Sequence, residues 1–222
     1  MTEPFVPIAD PRPNDTPWPQ LSWPPRPDVT LSGRVVELCP VDPDRDADEL
    51  FAALDHDAVW TFVPGRPGSG AAYSATLSAR IAAGWLPWMV RLKRAHANIA
   101  AGTVIGTTSY LDVDVSAARL EIGATAYAPA AWGSAVNPDV KLELLAFAFE
   151  QLGAGRVQMK TDVRNARSQR AIAGLGATYE GKLRRYQRRA DDTVRDTALF
   201  SITVEEWPSV RTRLEVRLDA LA

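Results

Sequence analysis

The strongest constraint on the fold is the alternation of strand-like and helical segments along the chain. A strand-like segment ends at Tyr127, a loop follows, and a helical pattern covers residues 138–152 before the next strand-like segment at 156–163. The helical pattern places these apolar side chains on one face: Val140, Leu144, Leu145, Ala148, Phe149 and Leu152. Strands joined by helices on either side of the middle predict an α/β or α+β sheet.

Further segments extend the alternation, with no internal repeat. Strand-like segments cover residues 33–41, 88–92, 102–113, 118–127 and 198–204. Helical segments cover residues 42–54, 70–84, 166–176 and 210–221. The first of these helices is predicted to start with Asp42 as its cap and Pro43 at its first position.

The chain divides into a central domain and two terminal segments. Its 222 residues, 46% hydrophobic and 23% charged, fit one domain plus an extension. Residues 1–30 contain 9 of the 17 prolines, which predicts an extended arm. We expect the domain to span residues 31–208 and an amphipathic C-terminal helix to span residues 209–222. Both terminal segments pack either on their own subunit or on a second copy in a homodimer.

Composition and charge argue against several classes of function. The net charge of −2 is unlike that of a general polyanion binder, although residues 156–196 carry 11 Lys/Arg against 5 Asp/Glu and can attract a small anion. Cys39 is the only cysteine, so no intrachain disulfide can form. The first residues lack a signal-peptide pattern, and Gly, Pro, Ser and Asn interrupt the charge-free segment 122–138. We therefore expect a cytoplasmic protein with no nucleic-acid or membrane partner.

The loop before the longest helical pattern has the features of an anion site. Its sequence, AAWGSAVNPDVK from Ala130, places Asn137 as the helix cap and Pro138 at the first helical position. Backbone N–H groups from Gly133 to Asn137 then point outward at the positive end of the helix dipole, where phosphate oxygens bind. The alternative is an ordinary strand-to-helix turn in which glycine supplies a positive φ.

The order of motifs around this loop resembles that of the GCN5-related N-acetyltransferases, most closely the RimJ/RimL-type branch that acetylates protein N-terminal amines. The resemblance spans about residues 33–208 and rests on Ala130-x-x-Gly133-x-Ala135, DVRNARSQRAIAGLGATYEGKLRR and RDTALFSITVEEWP. It implies a mixed, strongly twisted sheet of six or seven strands, with acyl-coenzyme A held where two central parallel strands splay. The family's loop usually begins with Gln or Arg, whereas this chain has Ala130. Because backbone donors do most of the pyrophosphate binding in such a site, we expect coenzyme binding to survive this departure.

The resemblance also implies which residues hold acetyl-coenzyme A, the expected cosubstrate. Asn165 would bond the pantetheine arm, and Ser168 would donate a proton to the departing thiolate. The alternatives are a turn or cap for Asn165 and helix-start hydrogen bonding for Ser168. The implied coenzyme-binding residues are Thr125, Ala126, Tyr127, Trp132, Gly133, Ser134, Ala135, Val136, Asn137, Asn165 and Ser168.

Glu121 is the candidate general base. It interrupts an apolar strand and resembles the family's carboxylate at that place, and apolar neighbours can raise a carboxyl pKa toward neutrality. The alternatives are an edge-facing strand residue, or a carboxylate that pairs with Arg119 or Lys141. Direct attack of an amine on a thioester needs no covalent nucleophile, and the sequence shows no nucleophile–base pattern and no metal-ligand spacing.

The expected function is transfer of an acetyl group from acetyl-coenzyme A to a primary amine, either a protein N-terminus or a small molecule. A non-catalytic acyl-coenzyme A sensor or interaction scaffold is the competing class.

Two other segments and several aromatic residues have an interpretation of their own. The GRPGSG loop at 65–70 is interpreted as a flexible substrate-side loop. The basic run at 182–189 is interpreted as a solvated hairpin, with nucleic-acid binding as its alternative. Four aromatic residues either wall the acceptor pocket or belong to the core: Trp60, Phe62, Trp85 and Trp132.

Overall fold

The computed structural model describes residues 6–9, 17–96, 98–189 and 191–221. Its strands are β1 (Leu31–Ser32), β2 (Val36–Pro40), β3 (Leu86–Leu92), β4 (Val104–Asp114), β5 (Arg119–Tyr127), β6 (Arg156–Asp162), β7 (Thr178–Arg188) and β8 (Val194–Thr203). Its helices are α1 (Pro43–Leu54), α2 (Asp57–Trp60), α3 (Gly70–Ala82), α4 (Val136–Ala146), α5 (Ala166–Ala173) and α6 (Trp207–Asp219). A 3₁₀ turn, Pro129–Ala131, precedes α4, and a π-helical segment, Phe147–Gln151, continues it.

The strands form one mixed sheet in the order β1-β2-β3-β4-β5-β6-β8-β7. Within the described residues β5 and β6 are parallel and the other neighbouring strands are antiparallel. The mixed α/β sheet expected from the sequence is confirmed. It has eight strands rather than six or seven, because the basic run lies in a full strand, β7, and Leu31–Ser32 adds a short edge strand to β2.

Helices cover both faces of the sheet, and alternate residues of each strand face the two layers. Trp88 and Val90 of β3 pack in the larger apolar cluster with residues of α4 and α6. Met89 of the same strand packs on the opposite face with Leu50 of α1 and Leu77 of α3. This alternation follows from the two-residue period of a strand, so the central strands are buried on both sides.

The helix after the loop begins earlier than its sequence predicts. Asn137 was the expected cap, whereas α4 begins at Val136 and Asn137 lies in its first turn. The cap position falls on Ala135, whose side chain makes no capping bond, and the Ser134 hydroxyl accepts a hydrogen bond from the backbone N–H of Val136 at 3.2 Å. The tail helix also begins earlier, at Trp207 rather than in the range 209–222. The prediction for the Asp42 cap is confirmed, since its side chain accepts from the N–H of Asp44.

The second half of the N-terminal arm, residues 17–30, lies on its own domain. The backbone N–H of Ser22 donates to the carbonyl of Leu152 at 2.7 Å, and Leu21 is buried in the larger apolar cluster. The ring of Trp23 meets Tyr110 edge-on, with centroids 6.1 Å apart. Trp18 is 69% exposed but donates from Nε1 to the carbonyl of Ser116 at 3.1 Å. The remainder of the predicted arm, residues 1–5 and 10–16, lies outside the described residues.

Asp139 joins α4 to the start of the sheet. Its fully buried carboxylate accepts hydrogen bonds from the backbone N–H groups of Arg34, Val35 and Val36, at 3.1, 2.7 and 3.1 Å. A Cβ on Gly33 would lie only 2.5 Å from Asp139 Oδ2, so glycine lets the chain approach this carboxylate. The contact fixes the loop end of α4 against β2.

Candidate active site

The centre of the sheet opens where β5 and β6 separate. The two strands pair at only three positions, from Arg119 opposite Arg156 to Glu121 opposite Gln158. Beyond Glu121 the two strands no longer pair with each other, although β5 continues to Tyr127 beside β4 and β6 continues to Asp162 beside β8. A cavity of about 600 Å³ lies at this separation. The splay of two central parallel strands, expected from the family resemblance, is therefore a feature of this chain.

A β-bulge shapes the wall of the cavity on β5. The register with β4 shifts between Thr107 and Ser109, and Ala124 adopts a φ of +48°, which is unusual for a residue with a side chain. Ala124 and Thr125 both line the cavity. Because a bulge takes the extra residue out of the strand ladder, backbone groups here are available to a ligand.

The predicted phosphate loop lies along the same cavity. Gly133 adopts a φ of +71°, and a Cβ placed there would meet nothing within 4 Å, so the space above the loop is open. The Ser134 hydroxyl donates to the carbonyl of Ala131 at 2.7 Å, and Trp132 Nε1 donates to the carbonyl of Tyr127 at 2.9 Å. The Arg167 guanidinium lies 3.6 Å from the Trp132 ring centroid and adds a cation to this end.

The structure brings most of the predicted site residues together. The following residues line the one cavity: Glu121, Thr125, Ala126, Tyr127, Trp132, Gly133, Ser134, Asn137, Asn165 and Ser168. Ala135 and Val136 do not line it, and Val136 is buried in the core beneath the loop. The Tyr127 hydroxyl is buried and has no hydrogen-bond partner among the described residues, so a ligand can supply one.

Asn165 and Ser168 lie at the start of α5, facing the loop across the cavity. The Asn165 side chain caps the helix, accepting from the backbone N–H of Ser168 at 3.0 Å. The capping alternative is therefore present in the structure, and it leaves both residues on the cavity wall. The cap uses the oxygen of the Asn165 amide and the backbone of Ser168, so the amide nitrogen and the hydroxyl are not needed for it.

Glu121 is a buried carboxylate at the point of separation. It is 6% exposed, and Lys160 Nζ on β6 lies 2.8 Å from its Oε2. Burial raises the pKa of Glu121, while the Lys160 ammonium acts in the opposite direction. The alternative that paired Glu121 with Arg119 or Lys141 is wrong, because Arg119 pairs with Asp112 and Asp114.

Lys160 belongs to a polar cluster that the sequence reading missed. Its ammonium donates to the Tyr186 hydroxyl at 2.9 Å and lies 3.4 Å from Asp112 Oδ2. Burial acts to lower the pKa of Lys160, but hydrogen bonds to Glu121 and Tyr186 raise it above its ordinary value. The available signal was that the polar residues Gln158, Lys160 and Asp162 recur at every second position of a central strand.

Lys141 is a second lysine on the cavity wall, and it is 5% exposed. Its Nζ donates to Thr125 Oγ1 at 2.9 Å and to Thr108 Oγ1 at 3.3 Å, and these two hydroxyls lie 2.8 Å apart. No carboxylate lies within 4 Å of this ammonium in the part of the chain that the structure describes. Burial lowers the pKa of Lys141 to about 7, so the amine is neutral in a large fraction of molecules near neutral pH.

The end of the cavity beyond Glu121 has aromatic walls. Phe62 and Trp85 line it, as predicted. Trp60 instead lines a smaller neighbouring cavity of about 150 Å³ and donates from Nε1 to the carbonyl of Leu54 at 2.7 Å. The 65–70 loop lines neither cavity, and only the preceding Pro64 does, so the loop itself is not part of the wall.

The basic run forms one arm of a hairpin, as predicted. β7 is antiparallel to β8, and most of its side chains are exposed. Tyr186 and Gln187 of this strand line the main cavity, and Arg189 binds both carboxylate oxygens of Asp162, at 2.6 and 2.9 Å. The run therefore contributes to the cavity wall.

Metal-ligand clusters and membrane-spanning helices are both absent from the described residues. No group of three or more potential metal ligands lies together in them. None of the helices they form is long and apolar enough to cross a membrane.

The fold and the cavity are those of an acyltransferase. Residues 36–178 match the family model described as an acetyltransferase (GNAT) domain, and the chain therefore belongs to the GNAT family of acetyltransferases. No curated protein matches the chain.

Solved structures agree with this assignment. A probable GNAT acetyltransferase from Chromobacterium violaceum is 27% identical, with a TM-score of 0.81 over 92% of this chain and all of that one. A GCN5-related N-acetyltransferase from Brucella melitensis is 25% identical, with a TM-score of 0.79 over 90% of this chain and 89% of that one. Mycobacterium smegmatis RimJ, solved in complex with CoA-disulfide, shares the fold at 24% identity and a TM-score of 0.73, over 89% and 97% of the two chains.

Proposed function

We propose that this protein is an N-acetyltransferase that transfers the acetyl group of acetyl-coenzyme A to a primary amine by direct attack. The observation that carries the proposal is the position of Glu121, a buried carboxylate on the wall of a cavity that also contains an open glycine turn at a helix start. A carboxylate of raised pKa at this place is suited to take a proton from an incoming ammonium.

The cavity residues fit acetyl-coenzyme A as the cosubstrate. Gly133, Ser134 and Asn137 of the loop line the cavity at the start of α4, and open space lies above Gly133. The bulge at Ala124 takes backbone groups out of the regular strand ladder. The Tyr127 hydroxyl has no hydrogen-bond partner among the described residues. Both can bond to the coenzyme. When bound, the coenzyme supplies an activated acyl group as a thioester.

The proposed reaction then needs two proton transfers by side chains of this chain. Glu121 accepts a proton from the acceptor ammonium, and the freed nitrogen attacks the thioester carbon. A C–N bond forms and the C–S bond breaks. The nitrogen gives up its second proton to solvent, and the Ser168 hydroxyl protonates the departing thiolate and regains a proton from solvent. Lys160 holds the Glu121 carboxylate in place through the contact at 2.8 Å. The acceptor is either a protein N-terminus or a small-molecule amine.

The competing class is a non-catalytic sensor of acyl-coenzyme A, and the departure at Ala130 is the observation that favours it. The two are separated by the release of free thiol from acetyl-coenzyme A in the presence and absence of a panel of amines and peptides. The enzyme releases thiol at a rate that depends on the amine. A sensor binds the coenzyme, seen as a rise in thermal stability with acetyl-coenzyme A and not with ATP, but releases no thiol with any amine.

A further inference from the structure

A guanidinium without a carboxylate partner lies beyond Glu121 in the main cavity. Arg195 on β8 is half-buried and lines this cavity. Among the described residues its side chain makes one hydrogen bond, from Nε to Thr197 Oγ1 at 3.1 Å, and no ion pair. Burial lowers the pKa of Arg195, and the charges of Asp162 and Glu121 raise it from a greater distance. A half-buried cation of this kind is destabilising unless a ligand supplies the opposite charge.

The cavity branches at Arg195 into the smaller pocket of about 150 Å³. Four arginines and two aspartates line that pocket: Arg164, Arg188, Arg189, Arg195, Asp162 and Asp191. Arg189 already neutralises Asp162, and Arg188 pairs with Asp192 at 2.7 Å. The surroundings of Arg195 therefore keep a small excess of positive charge. With Asp162 and Glu121 nearby, a single negative charge is a better match than a phosphate dianion.

The coenzyme has other cations available at the opposite end of the cavity. Arg167 lies against Trp132 in the loop, and Arg217 of α6 lines the cavity and donates to the carbonyl of Gly174 at 3.1 Å. Arg195 instead lies opposite Gln187 of β7, and the charges of Asp162 and Glu121 act on it. An anion bound by Arg195 therefore belongs to the acceptor.

We propose that the acceptor carries a carboxylate close to the amine that is acetylated, and that Arg195 binds this carboxylate. The inference rests on the proposed acetyltransferase function and narrows its acceptor to amines of this class. Glu121 would then meet the amine of such an acceptor, and Arg195 its carboxylate. Arginine binds carboxylates through two parallel N–H donors, and the Arg195 Nη atoms have no other partner among the described residues.

The test uses two pairs of acceptors that differ by one carboxylate. The first pair is a free amino acid and its primary amide, which tests an α-carboxylate. The second pair is a dipeptide amide with Asp or Asn at its second position, which tests an acidic side chain. Acetyl transfer to each is measured with saturating acetyl-coenzyme A in the wild type, in Arg195→Gln and in Arg184→Gln. Arg184 is an exposed arginine on β7 that lines neither cavity, so it controls for the loss of one positive charge.

In at least one pair the wild type should prefer the acidic acceptor by about tenfold to a hundredfold in kcat/KM, the range of one charge-assisted hydrogen-bond pair. Arg195→Gln should bring that ratio close to one, Arg184→Gln should keep it, and the affinity for acetyl-coenzyme A should survive both changes. Equal use of acidic and neutral acceptors by the wild type, an unchanged ratio in Arg195→Gln, or a loss of coenzyme affinity in that variant would overturn the inference.

Failure of the proposed function itself would look different, because no amine would then stimulate thiol release. In that case the N-acetylated forms of the same four compounds serve as ligands, and their binding is measured by calorimetry with coenzyme A present. Tighter binding of the acidic member that is lost in Arg195→Gln would support the carboxylate site without turnover. Equal binding of the acidic and neutral members would reject it.

Discussion

The buried amine of Lys141 makes the stability of the fold depend on pH. Its ammonium contacts two threonine hydroxyls and no carboxylate among the described residues, so folding removes the charge from water without an opposite charge. Replacing Lys141 by Met keeps the length and the apolar stem of the side chain. Thr108 and Thr125 remain hydrogen-bonded to each other at 2.8 Å. The variant Lys141→Met should therefore be more stable than the wild type.

The size of the effect follows from the pKa difference. Burial lowers the pKa of Lys141 from 10.5 to about 7, so the unfolded chain binds this proton more tightly than the folded one. At about 1.4 kcal/mol for each tenfold difference in proton affinity, the penalty is roughly 5 kcal/mol at pH 6. The penalty is fully present below pH 7 and disappears as the pH rises toward 10.5, leaving about 2 kcal/mol at pH 9. The advantage of the variant should shrink by about 3 kcal/mol between pH 6 and pH 9.

Urea denaturation followed by tryptophan fluorescence at pH 6 and pH 9 measures this difference. Lys182→Met is the matched control, because Lys182 is exposed on β7 and its ammonium lies 3.6 Å from the Asp196 carboxylate. Its stability relative to the wild type should change little between the two pH values. If Lys141→Met is no more stable than the wild type at pH 6, or if its advantage does not shrink at pH 9, the account of Lys141 as a desolvated amine is wrong.

Three further changes test the fold and the site. Asp139→Ala should lower the free energy of unfolding by about 3 kcal/mol or more, since three backbone N–H groups lose their acceptor; an unchanged urea midpoint would refute this. Gly123→Ala places a Cβ 2.8 Å from Glu121 Oε1 and should lower kcat at least about tenfold, whereas Gly68→Ala, with nothing within 4 Å, should not. Ser168→Ala should slow turnover by about a hundredfold if its hydroxyl protonates the thiolate, and full turnover would leave it with a structural role at the helix start.

Local patterns in the sequence were enough to predict most of the framework. Apolar spacing identified the α4 region and the central strands, and the motif order placed Glu121, the loop and Asn165 near one another. The predicted start of α4, Pro138, is two residues later than the observed start, Val136. The Ser134 hydroxyl and the preceding 3₁₀ turn set where the helix begins. A cap depends on which of several nearby oxygens reaches the free N–H groups, and residue type alone does not decide this.

The partners of the charged residues were not predictable in the same way. Glu121 meets Lys160 because β5 and β6 are neighbours whose parallel pairing ends at Glu121, and this register is a property of the whole sheet. The nearest basic residues in sequence or motif, Arg119 and Lys141, have other partners. The burial of Lys141 could not be predicted either, because in the helical pattern this residue lies beside the apolar face and not within it.

The most direct test of the central claim is the kcat of Glu121→Gln, measured beside its dissociation constant for acetyl-coenzyme A. Glutamine keeps the shape of the side chain but cannot accept the ammonium proton at neutral pH. The account predicts that kcat falls about a hundredfold or more, the range typical of a general base, while acetyl-coenzyme A affinity stays within about threefold. A variant that turns over as fast as the wild type, with unchanged coenzyme affinity, would contradict the assignment of Glu121 as the base.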